Sequence, residues 1–213
     1  MTNITTQVSK FQNNEQFYPD HILELLSEAE ALKIAGEHHE AISIIQSVLC
    51  EEPECLIAYE QIADNHLILD EEEKATKAAE FALMLHAESC IANYVLGFIH
   101  LKNAKWDEAY VHLKQADKVL PNNPEILRCL GWNLFKKGKC TKGIILLERV
   151  LTICPEDSIA LCDLGVCFFE LKYFDKALDI FAKAVELDSD NQRAKEMIKV
   201  AEEVVTKLRR AKR

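Results

Sequence analysis

Apolar residues along 158–191, SIALCDLGVCFFELKYFDKALDIFAKAVELDSDN, recur at helical spacing twice in succession. Leu161, Leu164, Gly165 and Phe168 share one face of a first predicted helix, and Ala177, Phe181 and Ala184 share one face of a second. The LKYFD segment between them is a turn, with Asp175 placed to cap the second helix. Small residues inside each helix (Gly165, Ala177, Ala184) let the backbones approach, while Leu164, Phe168 and Phe181 fill the gap. The pattern predicts a helical hairpin too short to bury both of its faces alone, and therefore one unit of an array.

A period of 34 residues carries that unit along the chain. Position 8 reads Ala29, Ala63, Gly97, Gly131, Gly165; position 20 reads Ala41, Ala75, Ala109, Gly143, Ala177. Position 27 reads Val48, Ala82, Ala116, Val150, Ala184; position 32 reads Pro53, Ala87, Pro121, Pro155, Ser189. Five units, 22–55, 56–89, 90–123, 124–157 and 158–191, follow without insertion or deletion. Small residues recur where helices cross closely, and Pro recurs where the chain leaves one hairpin for the next. On these residues the chain resembles the tetratricopeptide-repeat (TPR) family over all but its two ends. The resemblance implies an all-α fold: a TPR-type right-handed superhelix of five helical hairpins plus a C-terminal capping helix.

Individual units add detail. Residues 1–21 form a polar N-terminal arm, with Phe11, Phe17 and Tyr18 as its aromatics and docking of the arm onto the array left open. Asp20 is the expected N-cap of the first unit, and Gly36 and Gly138 the expected ends of two first helices. The DEEEK turn places acids at a helix N-terminus, where the macrodipole favours them. His66 and His100 share position 11 and are expected to be partly buried, hydrogen-bonded rings, with a stacked pH-sensitive or metal-binding pair as the alternative. Residues 192–213 predict a capping helix with a basic tail, LRRAKR; its stripe is Ala194, Met197, Ile198, Ala201, Val204, Val205 and Leu208. A short coiled coil is the alternative for this helix.

Composition narrows the function. The chain has 213 residues and 49% hydrophobic residues, without a run of about 18 apolar ones, so no membrane insertion is expected. The N-terminus lacks an apolar stretch of signal-peptide type, which leads to the expectation of a cytoplasmic protein. Eight Cys fall at eight different repeat positions with no Cys-x-x-Cys, which fits reduced, space-filling thiols and no metal site or cofactor. Net charge is −10, but residues 192–213 hold eight Lys/Arg against three Glu, leaving −15 on the remainder; so acidic a body argues against nucleic acid as partner. No phosphate loop, His-Glu-x-x-His or Gly-x-Ser-x-Gly occurs, and no catalytic residue is assigned: an enzyme is not expected.

The family resemblance directs positions 2, 5, 6, 9, 12 and 13 of each first helix to the concave face. In the first two units these include Ser27, Glu30, Lys33, Glu60, Gln61 and Asp64; in the later three they become apolar and aromatic. The expected partner-binding residues are Tyr94, Phe98, Leu101, Arg128, Trp132, Phe135, Cys162, Val166 and Phe169, taking an apolar peptide segment or helix of another protein. The Lys and Asn set by which the cochaperone branch grips C-terminal carboxylates is not restored in any frame of three units. Similarity to type III secretion translocator chaperones, which typically have three repeats, suggests a chaperone for a membrane-active client. A structural subunit of a multiprotein assembly is the other alternative, with a homodimer left open.

Overall fold

The computed structural model describes residues 18–211, so the expectations for Phe11 and Phe17 of the arm and for Lys212 and Arg213 of the tail lie outside the described residues. Among the described residues every regular element is a helix. Two compact units divide the chain, Met1–Asn123 and Pro124–Arg213. The first holds α1 (Asp20–Ala35), α2 (His38–Glu51), α3 (Leu56–Ile68), α4 (Glu72–Leu85), α5 (Cys90–Lys102) and α6 (Trp106–Val119). The second holds α7 (Pro124–Lys136), α8 (Cys140–Ile153), α9 (Ser158–Glu170), α10 (Phe174–Leu187) and α11 (Gln192–Ala211). Helices pair as α1–α2, α3–α4, α5–α6, α7–α8 and α9–α10, each pair within one 34-residue period.

The turn inside each hairpin repeats one backbone device. Position 15 is left-handed in all five: Gly36 (φ 85), Asp70 (φ 61), Ala104 (φ 56), Gly138 (φ 77) and Lys172 (φ 66). The next residue returns its N–H to the carbonyl of position 11, as Glu37 to Leu32, Glu71 to His66, Lys105 to His100, Lys139 to Leu134 and Tyr173 to Phe168, at 2.8–2.9 Å. This is the Schellman termination, which satisfies orphan carbonyls of the first helix while reversing the chain. Asp20 and Asp175 lie inside the first turns of α1 and α10 rather than at the caps. Their carboxylates still face the positive helix end. Side-chain caps belong instead to Ser89, which accepts from Ala92 N–H, to Asp157, which accepts from Ile159 and Ala160 N–H, and to Asn191, which accepts from Ala194 N–H at 3.0 Å.

Close crossings follow the small residues. A Cβ at Gly143 would stand 2.5 Å from the Gly131 carbonyl oxygen and 2.8 Å from the Phe135 nitrogen, so α7 and α8 touch backbone to backbone. In the second unit the core runs from Phe135 and Leu147 through Leu164, Cys167 and Phe168 to Phe181 and Ala194. Ala194 and Ala201 of α11 are fully buried, with Met197 and Ile198 packed on the same core, so α11 covers the last hairpin. At 20 residues, α11 is seven longer than α9, and 205–211 run on past the point where earlier first helices turn.

Candidate functional site: the first-helix face

Side chains at the inward positions divide by unit. In the first, Lys33 is buried on α1 and its Nζ lies 2.9 Å from both Glu30 and Asp64. Gln61 donates to the Leu26 carbonyl at 3.1 Å, and Glu60 accepts from Ser89 Oγ at 2.6 Å. The acidic stretch expected from the sequence is thus an internal network that ties α1 to α3 and α3 to α5, each carboxylate stabilised by a cation or donor. On α5, Tyr94 is buried while Phe98 and Leu101 are half-buried; the Tyr94 and Phe98 rings lie 6.1 Å apart.

In the second unit, Trp132 is half-buried on α7 with its ring 6.4 Å from that of Phe135, which is itself buried. Lys136 Nζ lies 4.7 Å from the Trp132 ring centre, and the Arg193 guanidinium 5.6 Å from it. Cys162 and Val166 of α9 are buried, while Phe169 is half-buried and meets Phe174 edge-on at 5.3 Å. Arg128 donates to Asp163 Oδ2 at 2.9 Å and also to Glu125; Arg193 donates to Asp163 Oδ1 at 2.6 Å. Burial opposes the charge of Arg128, but the Glu125 and Asp163 carboxylates outweigh that effect and hold the guanidinium firmly protonated. Arg128, expected among the partner-binding residues, has its fork occupied by Glu125 and Asp163, whereas Arg193 is half-exposed.

Of the nine residues expected to bind, Phe98, Leu101, Arg128, Trp132 and Phe169 keep accessible surface, whereas Tyr94, Phe135, Cys162 and Val166 form the floor beneath them. The sequence predicted α11 as a capping helix; what it missed is that α11 also contributes side chains to this face. The 34-residue register continues past 191, so Arg193, Met197, Val200 and Val204 take inward positions 2, 6, 9 and 13 of an incomplete sixth unit. Met197 packs on the cluster that holds Trp132 and Phe169, and Val200 is 45% exposed. The apolar strip of the second unit therefore runs across α7, α9 and α11.

Other chemistry is sparse. His66 Nδ1 donates to the Glu71 carboxylate at 2.6 Å, and the stacked pair is His100 with His112, 5.5 Å between centres, not His100 with His66. Among the described residues no three His, Cys, Asp or Glu cluster as metal ligands. Burial pushes the Cys90 and Cys167 thiols up to about 12 and Cys162 up to about 11, the opposite of activation. No described helix is long and apolar enough to cross a membrane.

Comparison with known proteins bears on the fold most directly. The tetratricopeptide-repeat family model matches residues 159–191. Anaphase-promoting complex subunit 3 of Schizosaccharomyces pombe is 25% identical over 150 residues, 70% of this chain and 23% of that protein. DnaJ homolog subfamily C member 3 of Homo sapiens is 26% identical over 181 residues, 76% of this chain and 35% of that protein. This chain thus spans only about a quarter to a third of those relatives' length. Among solved structures, YrrB, described as a TPR protein with an unusual peptide-binding site, superposes with a TM-score of 0.61 at 20% identity, covering 93% of this chain and 100% of YrrB. The APC/C hetero-tetramer Cut9–Hcn1 gives 0.75 at 18% identity, covering 93% of this chain and 38% of that one.

Proposed function

On the footing that the chain carries tetratricopeptide repeats, a fold that mediates protein–protein interaction and assembly, we propose that it binds an apolar segment of a partner protein along its first-helix faces. The observation that carries this reading is the strip of Trp132, Phe169, Met197 and Val200, apolar surface left open beside a core already closed by Phe135, Val166 and Phe181. Apolar patches rimmed by charge mark interaction surfaces, and a half-buried Trp is a strong anchor. Phe98 and Leu101 offer a second apolar stretch on α5. The segment's side chains lie against these residues, and Arg193 beside Trp132 donates to an acidic or carbonyl group of the segment.

The role follows as scaffold or chaperone rather than catalyst. The chaperone reading draws on the open apolar strip, which would shield an apolar client segment; the assembly reading draws on the likeness to complex subunits. Mass spectrometry of proteins that co-purify with the native chain separates them. One dominant client with membrane-active segments supports a chaperone, and a stoichiometric multi-subunit set supports an assembly subunit. Absence of any co-purifying protein under gentle crosslinking would overturn both.

A further inference from the structure

Outside the first-helix strip, the extension of α11 creates a second surface. Its residues Val205, Leu208 and Arg209 form one wall of a cleft of about 360 Å³, and Lys172, Tyr173, Phe174 and Asp175 of the α9–α10 turn form the other. Tyr173 is 61% exposed and Leu208 44% exposed, so the cleft presents apolar walls to solvent. Lys172 and Arg209 sit at its rim, and neither forms an ion pair among the described residues. Among the described residues each earlier first helix ends before the positions that 206–211 occupy, so only α11 extends a wall there.

The chain's charge is partitioned between its ends. Residues 22–89 hold sixteen Asp/Glu against three Lys, a net of −13, whereas residues 192–213 carry +5. Within the acidic part, the α3–α4 turn projects Ile68, 51% exposed, followed by Asp70, Glu71, Glu72 and Glu73. Asp70 has the same left-handed position 15 as Lys172, so the two turns carry opposite charges at that position, with Asp175 of the second turn also lining the cleft. Lys102 pairs with Asp70 and Glu72, which fixes the turn's shape, while Asp70 keeps most of its surface.

We propose that the α9–α11 cleft docks the α3–α4 turn of a second copy of this chain, Ile68 entering between Tyr173 and Leu208 and the acidic run meeting Lys172 and Arg209. The contact joins two different surfaces, so it closes reciprocally in a pair or a ring, or continues from copy to copy. The cleft lies apart from the Trp132 strip, Ile68 stands at the end of a first helix of the other unit, and the test requires no client.

Sedimentation velocity of the full chain reads the association. The wild-type sedimentation coefficient rises with protein concentration at low ionic strength, and the rise weakens at about 500 mM salt, where the Debye length is only a few ångströms. Ile68→Asp removes the anchor, and Lys172→Glu with Arg209→Glu reverses the rim; each weakens association by roughly tenfold or more. Circular dichroism and melting establish that both variants are folded. Mixing the two restores a 1:1 complex that grows no further, because only one intact cleft and one intact turn remain to meet. A wild-type chain that stays monomeric at every concentration, association indifferent to either variant, or a mixture that remains monomeric would each overturn the proposal.

Discussion

Asp163 Oδ1 accepts from Arg193 Nη1 at 2.6 Å while its other oxygen accepts from Arg128 at 2.9 Å, so one buried carboxylate ties α11 to α9 and α9 to α7. The same Arg193 lies beside Trp132. Helix docking and the exposure of the most prominent aromatic are therefore linked.

Replacing that carboxylate separates the two roles. Asp163→Asn leaves Arg128 with Glu125 alone and is expected to destabilise by about 3 kcal/mol, as removing one member of a buried ion pair does. Arg193→Ala, a half-exposed partner, is expected to cost only about 1 kcal/mol. It uncovers Trp132, whose emission shifts to the red; a Trp106→Phe background isolates that signal, since the chain has two Trp. Thermal melting and fluorescence check the two outcomes.

The crossing of α7 and α8 is the least forgiving packing point. At Gly165 an added Cβ meets the Phe181 ring, 2.5 Å away, which has some freedom to shift; at Gly143 it meets backbone of Gly131 and Phe135, which has little. Gly143→Ala is expected to lower stability by about 2 kcal/mol or more, and Gly165→Leu by a similar amount through overpacking. Gly138→Ala, with open space around its Cβ, suffers only the left-handed φ and is expected to cost about 1 kcal/mol. Urea denaturation of the three variants ranks them.

The stacked histidines predict a pH dependence. Burial lowers the pKa of His100 from its ordinary 6.5, with Lys105 adding and Glu108 opposing; burial and then His100 lower that of His112, whose Nδ1 faces Asn93. Glu80 lines the same pocket from α4. Because the unfolded chain takes up protons first as pH falls below about 6.5, these two groups contribute stability above that pH and lose it on acidification. The melting temperature of wild type is expected to fall between pH 7 and pH 5.5 more steeply than that of His100→Gln/His112→Gln. Equal slopes would show that other groups govern the region.

Thiol accessibility follows from burial. Cys50 is exposed, whereas Cys55, Cys90, Cys129, Cys162 and Cys167 are buried. A thiol reagent at neutral pH is expected to label Cys50 first and the five buried thiols only on unfolding, with reductant leaving the melting temperature unchanged. Rapid native labelling of Cys162 would mean that the floor of the second unit opens readily.

Much of the hairpin architecture was legible because steric demand acts at fixed register: Gly131, Gly165 and Ala177 stand where backbones cross, and a 34-residue comparison exposes them. The left-handed turn at position 15 was legible at Gly36 and Gly138; Asp70 tolerates it, and Ala104 and Lys172 adopt it in the same hydrogen-bonded turn. At the first-helix face, the period placed the aromatics but did not show which of them are floor, since Tyr94 and Phe135 differ from Phe98 and Trp132 in neighbours rather than in type. The pairs Lys33–Asp64 and Arg128–Asp163 escaped a unit-by-unit reading because each spans about one period, joining helices of successive units. Counting the same register one step past 191 would have revealed Arg193 and Val200.

The most direct test of the central claim is the affinity of a bound segment for the strip. Peptides selected from a displayed library against the full chain supply the ligand, and fluorescence anisotropy measures wild type, Trp132→Ala and Phe169→Ala, with melting checked for each. An aromatic anchor contributes roughly 2 kcal/mol or more, so Trp132→Ala is expected to weaken binding about thirtyfold, with Phe169→Ala weakening it as well. Unchanged affinity in both stably folded variants would contradict the account and place the partner surface elsewhere on the chain.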